Sequence, residues 1–120
     1  MWPALRDGNR AAGDVAEAVE VLSGRVAEYD GCWPWELAEC ETWWRIDGCE
    51  SGHGTHPDTY RLDRATGGRL QIHRATWERY MRERYGWSWG DIVQDDVVNR
   101  QAAYVIWLLA GRSWSPWSCS

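Results

Sequence analysis

Apolar residues recur at alternating spacings of three and four from Ala12 through Val15, Val19, Leu22 and Val26 to Tyr29. That seam predicts a helix over 10–29. The same period would serve a coiled coil, but about two and a half heptads favour packing on the body over self-association. Asp30-Gly31 breaks the pattern, dividing the chain into a helical extension, 1–31, and a domain, 32–120. Pro34 suits a first helical turn, and 35–48 is helical in character, in one or two pieces. The Gly- and His-containing stretch 52–57 reads as loop. Tyr60-Arg61-Leu62 and Arg69-Leu70-Gln71-Ile72-His73 flank Thr66-Gly67-Gly68, which predicts a hairpin with a Gly turn. A helix over 75–85 follows, carrying Trp77, Tyr80, Met81 and Arg84, with Glu78 and Arg82 at a supportive spacing. Asp95 or Asp96 caps a last helix, roughly 97–110, with Val98, Ala102, Val105 and Leu109 on one face and Gly111 at its end. The tail from Trp114 to Cys119 is aromatic enough to fold back onto the body. Several helices and one small hairpin make an α+β arrangement.

Composition sharpens this picture in two places. The 120 residues hold eleven Trp and five Tyr but no Phe, rings that suit both a core and a sugar-binding cleft. All thirteen basic residues are Arg. The net charge of −5 is unevenly placed, with the acidic excess in the first half and a locally basic stretch over 61–84. An acidic chain is a poor general nucleic-acid binder, whereas a local basic face would suit an acidic polymer. No apolar run approaches the ~18 residues of a membrane span. The N-terminal stretch lacks a basic-then-apolar leader, since Asp7, Asn9, Arg10, Asp14 and Glu17 interrupt it. Cys32, Cys40, Cys49 and Cys119 form an even set with three conceivable pairings.

Glu50 is the residue with the clearest chemical prospect. It falls where the helix containing Trp43, Trp44 and Ile46 gives way to a Gly-rich loop. The negative end of a helix dipole and desolvation by apolar rings both favour a protonated carboxyl. Such an acid is what glycosidic cleavage needs as its proton donor. Its bland alternative is one more solvated carboxylate in the acidic half.

The series Cys49-Glu50-Ser51-Gly52, then Gly67-Gly68-Arg69-Leu70-Gln71-Ile72, then Thr76-Trp77, a final helix and the Trp114-to-Cys119 tail resembles the resuscitation-promoting factors. It also resembles related phage and actinobacterial transglycosylase-like domains of the lysozyme superfamily, over about residues 33–120. The resemblance implies a lysozyme-like fold that cleaves the β-1,4 bond between N-acetylmuramic acid and N-acetylglucosamine in peptidoglycan. It implies Glu50 as the catalytic acid, Gln71 as a cleft residue and a Cys49–Cys119 disulfide, which leaves Cys32 and Cys40 as the second pair. Two departures stand out. The segment between Glu50 and Gln71 is longer than in the resuscitation factors, and Arg69 intervenes between the Gly pair and Leu70. A second Cys-Glu, Cys40-Glu41, mimics the motif, but Thr42-Trp43 follows it where a Ser-Gly loop is expected.

A hydrolase usually needs a second carboxylate. Asp58 and Asp63 are the acids between Glu50 and the strand, and Asp63, beside the predicted turn, is the expected partner. Without one, the sugar's own hydroxyl attacks and an anhydro product results. His73 is expected at the cleft edge, and Tyr104 is a candidate sugar contact. His53, His56, Cys49 and His73 would be the members of any metal site, yet their spacing fits no common zinc signature; neither metal nor cofactor is expected. The expected partners are peptidoglycan glycan strands, in the extracellular space, the cell wall or a virion. The rival expectation is a non-catalytic lysozyme-like structural or wall-binding module, for example a phage virion component assembled through the 12–29 seam.

Overall fold

The computed structural model describes residues 32–119. The helix expected over 10–29 and the boundary at residue 31 lie outside the described residues. Cys32 to Trp35 form a turn, closed by the Trp35 N–H donating to the Cys32 carbonyl, with a cis Trp33–Pro34 bond. Pro34 therefore stands in this turn and not in a first helical turn. The long helix α1, Leu37–Ser51, is a single piece and runs three residues beyond the expected end. Trp43, Ile46, Asp47 and Ser51 make its buried face, at the three-and-four spacing of one helix side. Gly52 terminates it in a left-handed conformation, φ +61°, where its N–H meets the carbonyls of Asp47 and Gly48.

The hairpin exists but is shifted and shorter than the sequence pattern suggests. β1, Thr66–Gly67, pairs antiparallel with β2, Ile72–His73, in the register Thr66 with His73 and Gly67 with Ile72. The turn is therefore Gly68-Arg69-Leu70-Gln71, not Thr66-Gly67-Gly68. The glycine pair answers to close packing. A Cβ on Gly67 would lie within 2.4 Å of Val93 Cγ2, and one on Gly68, at φ +79°, within 2.0 Å of Asn99 Nδ2. Tyr60-Arg61-Leu62 is not a strand. Its carbonyls are taken by side chains instead of a ladder: Gln94 Nε2 donates to Tyr60 O, and Arg74 Nη1 and Trp89 Nε1 donate to Leu62 O.

Helix α2, Arg74–Tyr85, matches the expected segment, although Glu78 pairs with Arg74 rather than Arg82. A short helix, α3, Trp89–Gln94, was not expected. It starts on a reciprocal capping box between Ser88 and Asp91, a signal present in the sequence as Ser-x-x-Asp. Helix α4, Asp96–Leu109, is capped by Asp95, whose carboxylate accepts from the N–H groups of Val97 and Val98. It is the most deeply buried element, with Asn99, Ala102, Ala103, Val105, Ile106 and Trp107 enclosed. Leu70, Ile72, Met81, Ile92 and Val93 complete the core around it. The tail does fold back: Trp117 is buried and its indole N–H donates to Leu70 O at 2.8 Å. Cys32 is bonded to Cys40 and Cys49 to Cys119. The described residues thus form an α+β domain, and no helix among them is long and apolar enough to cross a membrane.

Candidate active site

Glu50 stands in the last turn of α1, at the junction of two connected hollows that both include Glu50, Thr66 and Gln71. The larger hollow, about 610 Å³, continues over His73, Thr76, Trp77, Pro116, Trp117 and Ser118. The smaller, about 210 Å³, continues over His56, Asp58 and Arg64. Together they form a groove with the acid at its middle, one side edged by indole rings and the other by charged side chains.

The acid's environment is built by distant chain. Ser118 Oγ and the Cys119 N–H donate to Glu50 Oε2 at 3.3 and 3.4 Å, positions held by the Cys49–Cys119 bond next to it in sequence. Burial pushes the Glu50 carboxyl above its ordinary range, and these donors from Cys119 and Ser118 only partly oppose the shift. Glu50 is therefore a carboxyl whose proton is retained more readily than that of a free glutamate, and it faces open space.

Gln71 lines both hollows together with Glu50. Its amide is fixed at both ends, since Nε2 donates to Gly68 O at 2.8 Å and Oε1 accepts from Thr66 Oγ1. Its backbone, at φ +45°, is in the left-handed region that non-glycine residues rarely occupy. His73 lines the larger hollow, with Nδ1 bonded to Thr76 Oγ1 at 2.9 Å.

Two expected site residues are elsewhere. Asp63 does not line the groove; it is exposed and held by Arg61, whose Nη2 donates to its Oδ2 at 2.7 Å, which lowers its pKa. The second carboxylate on the groove is Asp58, which accepts from Arg61 and Arg64 at 3.3 and 2.9 Å. The cause is the shifted hairpin: with the turn at 68–71, Asp63 falls in the preceding exposed loop. Tyr104 lines a separate pocket with Glu36, Ala38, Glu39, Trp107 and Arg112, and its ring packs among Trp35 and Trp107. That aromatic cluster anchors α4, so Tyr104 is a core ring and not a contact of the groove.

The residues weighed for a metal site have other partners. Cys49 is in a disulfide, His53 Nδ1 donates to Asp47 at 2.7 Å, and His56 Nδ1 accepts from the Asp58 N–H. Among the described residues, no group of His, Cys, Asp and Glu is arranged to hold a metal ion.

Sequence reasoning passed over Asp58 for Asp63, gave Thr66 and Trp77 no place in the groove, and missed Asp47 altogether. Asp47 is fully buried and accepts from Arg69 Nε at 3.1 Å, Arg69 Nη2 at 2.6 Å and His53. A usable signal was there: Asp47 falls four residues after Trp43, on the apolar face of α1, and a buried carboxylate requires a cation. No protein-family description, curated protein or solved structure matches this chain.

Proposed function

We propose that this chain is a lysozyme-like glycosidase that cleaves the β-1,4 bond between N-acetylmuramic acid and N-acetylglucosamine in peptidoglycan, with Glu50 as its general acid. The observation that carries this reading is a desolvated carboxyl with a raised pKa at a helix end, in the middle of an open groove. Glycan strands fit such a groove. Trp77 offers a partly exposed apolar ring to a sugar face, while Gln71, Thr66, Thr76 and Ser118 offer hydrogen-bonding groups.

In this mechanism Glu50 gives its proton to the glycosidic oxygen as the C–O bond breaks and positive charge develops on the anomeric carbon. Gln71, with its amide already oriented, holds the sugar against the acid. The electron-deficient carbon is then attacked either by water assisted by Asp58, giving hydrolysis, or by the sugar's own hydroxyl, giving an anhydro product. Two disulfides suit an oxidising location such as a cell wall or a virion exposed to it.

The test is digestion of purified peptidoglycan with product masses recorded. Glu50→Gln removes the transferable proton at nearly constant size, so activity should fall by more than ~10²-fold. Glu41→Gln should leave it unchanged. Products carrying added water, together with a large loss in Asp58→Asn, indicate a hydrolase; anhydro products with little loss indicate a lytic transglycosylase. Wild-type activity in Glu50→Gln would remove Glu50 from the mechanism. A second reading, a non-catalytic wall-binding or virion module, is favoured by one feature: the tail's donors already occupy Glu50 Oε2. A wild-type chain that binds peptidoglycan of several types yet cleaves none would establish it.

A further inference from the structure

The turn that carries Gln71 is fastened to three other parts of the fold through two of its residues. Arg69 reaches α1, where its Nε and Nη2 donate to the two carboxylate oxygens of Asp47. Leu70 is held on both backbone groups: its N–H donates to Asn99 Oδ1 of α4 at 2.9 Å, and its carbonyl accepts from Trp117 of the tail. Gln71 follows directly, in a backbone conformation that costs energy and persists only where its surroundings impose it.

The α1 end of this arrangement is equally fixed. Asp47 stands three residues before Glu50 and is fully buried. Its third hydrogen bond comes from His53, whose ring stacks on Trp44 with centroids 3.6 Å apart. Arg69 Nη1 also lies 3.7 Å from Asp96 Oδ2 at the start of α4. A two-point guanidinium–carboxylate pair sets both distance and orientation, which a single-point ammonium does not.

We infer that the Asp47–Arg69 pair is the strut that sets the separation of Glu50 and Gln71 across the groove, making Arg69 a positioning residue for the reaction proposed above. The kinetic half of its test rests on that proposed function; the spectroscopic half does not. The full chain is compared with Arg69→Lys, Arg69→Met and Asp47→Asn, each assayed well below its own Tm. In Arg69→Met, kcat on solubilised peptidoglycan should fall about 10–100-fold with KM changed by less than about threefold, because misplacement penalises the bond-breaking step more than binding. Arg69→Lys should fall between it and wild type, and it carries the test if the Met variant does not fold. NMR of the Gln71 side-chain amide and the Glu50 carboxyl should show shifts in the same order, with no turnover needed. A lowered Tm with wild-type kcat and unmoved resonances would reduce the pair to a structural role and overturn the inference. If the wild-type chain cleaves no peptidoglycan, the proposed function fails, and the resonances alone decide on the strut.

Discussion

Asn99 offers the most demanding test of how the groove is held. It is fully buried in α4, and its side chain makes three hydrogen bonds, accepting from Leu70 N–H at 2.9 Å and donating to Ile92 O at 2.8 Å and Gly67 O at 3.3 Å. Asn99→Ala deletes all three, at a net cost of about 1 kcal/mol each. It also leaves the Leu70 N–H buried with its acceptor gone, which carries the expected loss to about 4–5 kcal/mol. Against a total of about 5–15 kcal/mol for a small domain, that is a large fraction. Asn99→Asp is the sharper probe, because it keeps the shape. One oxygen still accepts from Leu70, but the other now faces two carbonyl oxygens, so only the protonated acid can satisfy the site. The folded-state pKa of the new carboxyl would be raised by burial and by those carbonyls. Its stability is therefore present below about pH 4 and lost as pH rises through the folded pKa. Urea unfolding followed by far-UV circular dichroism, at neutral pH and near pH 4, measures both effects. A loss below about 1 kcal/mol in Asn99→Ala, or an Asn99→Asp deficit that does not shrink on acidification relative to wild type, would refute the reasoning.

The Cys49–Cys119 bond spans 70 residues and Cys32–Cys40 spans 8, so chain-entropy arguments give about 4 and 2.5 kcal/mol respectively. Double Ser variants of each pair, unfolded in urea, should rank in that order, and equal losses would argue against it. Glu50, with its folded pKa raised above 4.5, favours folding at low pH, and that contribution is lost as pH rises from the unfolded value through the folded one. The stability advantage of Glu50→Gln over wild type should accordingly widen with pH across that window, and a pH-independent difference would contradict the burial of this carboxyl.

Periodicity was a good guide to what depends on neighbours in sequence. The seam of α4, its Asp95 cap, the extent of α2 and the helical run leading to Glu50 all follow from spacings of three and four and from local capping chemistry. The hairpin register did not follow, because Gly67 and Gly68 read locally as turn residues. They are glycines because Val93 and Asn99 press against their Cα atoms, contacts made by residues 26 and 31 positions further on. The misplacement of Asp63 was a direct consequence. The Asp47–Arg69 pairing was hidden for a similar reason: the place of Asp47 on the apolar face of α1 calls for a cation, but only the turn shows that Arg69, 22 residues on, supplies it.

The two Cys-Glu copies show how a local rule and a tertiary one combine to single out a site. Cys40-Glu41 and Cys49-Glu50 are nine residues apart on one continuous helix. At 3.6 residues per turn, nine residues are about two and a half turns, so the copies point to opposite faces of α1. Only one can meet the hairpin. Cys49 and Glu50 are on the side where the tail returns, which is why Cys49 finds Cys119 and Glu50 finds Ser118. Cys40, on the other side, is bonded to Cys32 in the turn before the helix, and Glu41 stays exposed. Had 35–48 been two helices with a break between them, this half-turn relation would not hold and the two glutamates could have shared a face. The continuity of α1 thus places Glu50, and not Glu41, in the groove.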